Sequence, residues 1–193
     1  MIPETKSKRH WNYFLALEND LDNLARYIEF TETNFDTYSI ELAHLLFAAS
    51  SEVDVVAKLL CKKLSPRKNV KTIDGYRGVI VEKLPNFSQF QVFIPRYGLT
   101  LTPWDNWSSN ENPLWWRHYN QVKHQRDTHF DKATLKNVLN SLGALLILTY
   151  FYYSYDLTEV GVEISPREIT RQLEPKSVLL FLPSNYYYEN VYN

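Results

Sequence analysis

Nineteen consecutive residues, Asn137 to Tyr155, carry no charge. A run of that length either crosses a bilayer or forms the buried centre of a helical protein. It contains Asn137, Asn140, Ser141, Thr149 and Ser154, and no second such run exists in the chain. We therefore read it as an interior helix, with no membrane partner. Leu135, Val138, Leu139, Leu142, Leu145 and Leu146 recur at i, i+3, i+4 and i+7. Asp131 is the expected N-cap. A helix apolar almost all round needs neighbours on every side, so the rest of the chain has to supply amphipathic helices. With 5 Gly among 193 residues, long regular elements are favoured over a loop-rich β fold.

Those helices are visible in the pattern. Trp11, Phe14, Leu15, Leu21, Leu24, Ala25 and Ile28 predict a helix over 9–30, and Ile40 to Leu60 keep helical period over 38–63 until Ser65-Pro66 stops it. A third, short helix is expected over 69–84, weakened by Gly75 and Gly78. Residues 89–95 and 98–102 read as a small hairpin turning at Arg96-Tyr97-Gly98. Asn112 as N-cap and Pro113 in the first turn open a helix over 113–126. A short connection then makes it an antiparallel neighbour of the apolar helix. Residues 157–175 are mixed and polar, 177–182 are strand-like, and 185–193 form a Tyr-rich tail. The expectation is one domain over 1–193, with a β/loop insertion at 85–111 and a C-terminal extension at 157–193.

The chemistry concentrates on the 113–126 helix. Arg117 and His124 lie seven positions apart. Seven steps of about 100° return to within about 20° of the starting direction, about 10.5 Å along the axis. Asn120 and Gln121 fall between them, and Trp115, Tyr119 and Val122 project from the other side. Lys123 and Arg126 add positive charge at the same end. The net charge of −1 gives no global attraction to nucleic acid, so any such binding must be local.

The segment Arg117-His118-Tyr119-Asn120-Gln121-Val122-Lys123-His124 resembles the Arg-x(4–6)-His motif of the HEPN superfamily, in which a polar residue usually follows the Arg, as His118 does here. The resemblance covers 112–155 well and the helical part before Pro66 loosely. It does not extend to 85–111 or to the last forty residues. It implies an up-down bundle of four to five helices that dimerises with two motifs face to face. It further implies a metal-independent endoribonuclease without cofactor, in a toxin–antitoxin or phage-defence setting with an antitoxin or neighbouring protein as partner. Arg117 would bind phosphate and His124 act as general acid/base, supported by His118, Asn120 and Gln121, with Lys123 and Arg126 contacting RNA. RNA brings its own nucleophile, the 2′-OH. An imidazole exchanges protons near neutral pH, and a guanidinium holds a phosphate with two parallel hydrogen bonds. The departure from one toxin branch is Arg126, where that branch carries a modified Tyr. Other members are inactive and serve as dimerising or nucleotide-binding bundles, which is the alternative reading.

Other constellations are weaker. His118, His124 and His129 do not share one helical face and have no Cys beside them, so no metal is expected. Cys61 is the only cysteine, which fits a reducing, cytoplasmic setting. Glu52 reads as the edge of a packed face. Trp104, Trp107, Trp115 and Trp116 lie close to the Arg–His face and read as packing.

Overall fold

The computed structural model describes residues 7–158 and 165–188. Among them the chain forms α1 (Arg9–Leu24), α2 (Ile40–Leu64), α3 (Ile73–Lys83), β1 (Val92–Ile94), β2 (Leu99–Leu101), α4 (Leu114–His124), α5 (Arg126–His129), α6 (Leu135–Thr158) and α7 (Pro166–Gln172). The architecture is mainly helical, with one two-stranded antiparallel hairpin pairing Val92 with Leu101 and Ile94 with Leu99. No helix among the described residues is long and apolar enough to cross a membrane.

The charge-free run is the interior helix its composition required. Leu135, Val138, Leu139, Leu142, Leu145, Leu146 and Leu148 of α6 are all buried, and α2 packs along it more extensively than any other element. Around this pair sit α1, α3 and α4. Residues 85–111 are built into the same core: Phe87, Val92, Ile94, Leu101, Trp104 and Trp107 are buried, and Phe87 packs on Trp104, Trp107 and Phe151.

Several boundaries differ from the sequence reading, each for a local reason. α1 ends at Leu24 rather than near Phe30. The amides of Arg26 and Tyr27 bond to carbonyls three residues back, the turn tightens, and Phe30 enters the core against Tyr97 at 4.8 Å. Asn112 does not cap α4. Its Oδ1 accepts from Arg77 Nη1 at 3.0 Å, and Pro113 occupies the cap position. Asp131 does not cap α6. It is paired with Lys132 at 2.9 Å, and the Thr134 hydroxyl accepts from the Asn137 amide at 3.3 Å instead. The Pro113–Arg126 helix is interrupted at Gln125 (φ −141°, ψ 53°), so Arg126 belongs to the separate short α5. α7 falls in the stretch read as merely polar, where Ser165 caps it and Pro166 opens it.

The 177–182 segment is not a strand. It makes one bridge to the hairpin, Phe93 with Phe181, in which both amides donate at 2.8 Å. What holds the segment down is Glu18, 1% exposed in the middle of α1. Its carboxylate accepts from the amides of Val178 (3.1 Å), Leu179 (3.0 Å) and Leu180 (2.9 Å). The Ser177 hydroxyl lies against both Glu18 Oε1 and the Leu180 carbonyl. Within the Tyr-rich tail, Tyr186 packs on Tyr150 and Phe90, and Tyr187 Oη accepts from the Leu182 amide. Residues 189–193 of that tail lie outside the described residues.

Candidate functional site

α4 divides its side chains sharply. Trp115, Tyr119 and Val122 are buried, with Trp115 Nε1 donating to the Pro103 carbonyl at 2.8 Å. Arg117, Gln121, Lys123 and His124 are exposed. The Arg117 side chain is 50% exposed, and its closest acidic neighbour is Glu111 at 3.9 Å. Asn120 is half-buried and its amide donates back to the Trp116 carbonyl at 2.9 Å, so part of its hydrogen-bonding capacity stays within the helix. Lys123 lies over the Tyr119 ring at 5.4 Å and Arg126 over Phe47 at 4.9 Å. Both cations cover aromatic surface while remaining exposed. Trp104, Trp107 and Trp115 are core residues and Trp116 is partly buried, so the tryptophans near this face pack rather than present open rings.

His118, one step round the helix from Arg117, is in a different environment. Its Nδ1 lies 2.8 Å from Asn137 Nδ2. The same amide nitrogen donates to the Lys132 carbonyl at 2.8 Å. A carbonyl can only accept, so this second bond fixes which way the Asn137 amide points. Its remaining hydrogen faces His118 Nδ1, which is therefore the acceptor, and a neutral His118 carries its hydrogen on Nε2. Burial holds this imidazole below its ordinary range, and the Lys132 and Arg117 charges act in the same direction. A side-chain hydrogen bond from Asn137 would ordinarily support an imidazolium. With the amide nitrogen turned toward Nδ1 it opposes a second ring proton instead. Nε2 has no partner among the described residues.

Two grooves flank the start of α4. One, of about 370 Å³, is lined by Arg117, Asn106, Lys136, Asn137 and Asn140. The other, of about 420 Å³, is lined by Tyr38, His118, Asp131, Lys132 and Asn137. Leu114, Lys136 and Asn137 belong to both. The segment before α2 forms one wall because it is tied to the start of α6. Leu135 and Lys136 amides donate to the Thr37 and Phe35 carbonyls at 2.8 and 3.1 Å, and Tyr38 bridges Thr134.

Elsewhere, Glu52 is paired with His10, Oε1 to Nδ1 at 2.5 Å, beside the rings of Tyr152 and Tyr153. No group of three or more metal-binding side chains exists among the described residues. Asn137 escaped the sequence reading as a site residue. The available signal was an amide within an apolar helix, which has to find partners once buried. No family model, no curated protein and no solved structure matches this chain.

Proposed function

We propose that the protein is a metal-independent endoribonuclease of HEPN type, acting as a homodimer in which two copies of the α4 face form one composite site. The observation that carries this reading is the partition of α4. Arg117 and His124 are exposed, two turns apart on one side, and the opposite side is anchored by Trp115, Tyr119 and Val122. Side chains carried on a packed helix but left open to solvent are held by a rigid element and are available to a ligand.

Arg117 grips the scissile phosphate through its paired N–H groups and offsets the charge that grows there. The 2′-oxygen attacks phosphorus, the bond from phosphorus to the 5′-oxygen breaks, and a 2′,3′-cyclic phosphate and a free 5′-hydroxyl result. One imidazole takes the 2′-proton and another protonates the leaving 5′-oxygen. One copy of α4 supplies one His124, so the two roles require a second copy. Lys123 and Arg126 add positive charge along the backbone path. His118 is not suited to proton transfer in this scheme, because its Nδ1 is engaged by Asn137 and burial disfavours its charged form.

The test is incubation of structured RNA with wild-type protein, Arg117→Ala and His124→Ala in EDTA, with the product ends identified. Wild-type cleavage to cyclic phosphate ends, lost by at least about a hundredfold in His124→Ala, is expected from general acid/base catalysis. No cleavage by the wild type, or equal cleavage by all three, refutes the assignment.

A further inference from the structure

We infer that the groove on the His118 side of α4 is a nucleobase-binding subsite for single-stranded RNA. The inference rests on the reading of Arg117 as the phosphate-binding residue. It concerns a different wall of the helix and different side chains.

Three features of the groove point to a base. The first is a fixed donor. The double donation by Asn137 leaves His118 neutral with its hydrogen on Nε2, and that nitrogen has no partner among the described residues. A half-buried donor of known tautomer reads an acceptor without exchanging a proton. The second is an acceptor beside it. Both hydrogens of the Asn137 amide are used, while Oδ1 has no partner among the described residues and Asn137 lines the groove. A donor and an acceptor carried by hydrogen-bonded neighbours match the mixed edge that a nucleobase presents.

The third feature is a ring. Tyr38 lines the groove, is 52% exposed, and meets Phe130 edge-on at 5.9 Å. Its backbone bridge to Thr134 anchors the residue at the start of α6, with exposed ring surface available for stacking. Charge in the groove is balanced. Lys132 and Lys136 are accompanied by Asp36 and Asp131, and Lys132 is bound to Asp131 at 2.9 Å. Such a site disfavours a bare anion and suits a neutral, polar, aromatic group. Its volume of about 420 Å³ is within the range of small-molecule pockets. Lys136 and Asn137 line this groove and the Arg117 groove alike. A strand whose phosphate lies on Arg117 thus places a neighbouring base beside His118.

The experiment measures binding of tetranucleotides of A, C, G or U carrying 2′-O-methyl groups, which cannot be cleaved through the 2′-oxygen. Fluorescence anisotropy is read for wild type, Tyr38→Ala, His118→Phe and His118→Gln. The wild type is expected to bind and to prefer some bases over others. Tyr38→Ala, an exposed position, should weaken binding at least about five-fold through loss of one stack. His118→Phe should flatten the preference among bases, and His118→Gln, which keeps an amide donor, should retain it. No binding by the wild type, or binding that neither Tyr38→Ala nor His118→Phe alters, overturns the subsite. Base-selective binding without cleavage of unmethylated RNA sinks the nuclease reading and leaves the subsite standing. Cleavage with unaltered binding in the variants does the reverse.

Discussion

Glu18 faces the interior from the middle of α1, and replacing it with Ala isolates the clamp that holds the C-terminal segment. The carboxylate accepts three backbone amides, those of Val178, Leu179 and Leu180. Val178 is exposed, so its amide can turn to water at little cost. Leu179 and Leu180 are buried, and their amides are stranded in Glu18→Ala. A buried donor left without a partner costs about 1–3 kcal/mol, so the pair costs about 2–6 kcal/mol. The Ser177 hydroxyl keeps its second acceptor, the Leu180 carbonyl, and adds little. If the segment and the bundle melt together, about 2–6 kcal/mol lowers Tm by roughly 4–24 °C in a domain of this size. If they melt separately, the loss appears as local opening instead. Amide hydrogen exchange distinguishes the two. Val178 to Leu182 and the Phe93–Phe181 bridge should exchange faster in both cases, and α6 only in the first. Glu18→Gln keeps one acceptor oxygen but turns an NH₂ toward a backbone donor, so its effect should fall between wild type and Glu18→Ala. Unchanged Tm together with unchanged exchange at 178–182 in Glu18→Ala would refute the argument that the carboxylate holds the segment.

Three further outcomes are expected. ¹⁵N spectra of His118 should show the Nε2–H tautomer and a protonation shifted to lower pH than an ordinary imidazole, since its folded value is depressed by burial; its contribution to stability is then present above the unfolded value and is lost as pH falls through the folded one. An Nδ1–H signal would contradict the amide orientation deduced for Asn137. Cys61, buried and with its thiol pushed up to about 12, should resist alkylation at pH 8 in the native state and react only on unfolding. Gly98 closes the hairpin at φ +63° with open space around it, so Gly98→Ala should cost about 1 kcal/mol through backbone strain alone, read as a lowered urea midpoint with unchanged slope.

The helical core was legible because periodicity reports burial directly. The spacing of Leu135 to Leu146 and the length of the charge-free run specified α6 and its central position, and the stop at Ser65-Pro66 fixed the end of α2 to within a residue. What the pattern hid was polar. Glu18 shares a helical face with Trp11, seven residues earlier, and Trp11 is part of the core. A carboxylate on such a stripe demands donors, yet nothing local says they lie about 160 residues away. Asn112 and Asp131 do not cap α4 and α6 for a related reason. Both residues have the right chemistry for a cap, and each is taken by a different partner, Arg77 and Lys132. Local propensity proposes a partner, and tertiary contacts choose among the candidates.

The same logic separates two neighbouring residues on α4. Arg117 and His118 are adjacent in sequence, about 100° apart round the helix axis. Arg117 stays exposed, whereas His118 turns toward α6 and meets Asn137. From sequence both are polar positions in one motif. In the fold, one remains an exposed charge, and the other a half-buried imidazole held by Asn137. In the proposed reaction, proton transfer is then left to His124, exposed two turns further on. Because one α4 carries one such imidazole and cleavage at a 2′-OH uses two, the proposed chemistry stands or falls with a second copy. An Arg117→Glu substitution addresses that point directly. It places negative charge where the other copy's α4 and the substrate phosphate would both approach. Loss of cleavage together with a shift from dimer to monomer in sedimentation is expected; loss of cleavage in a protein that sediments unchanged as a monomer, before and after substitution, would remove the composite site from the mechanism.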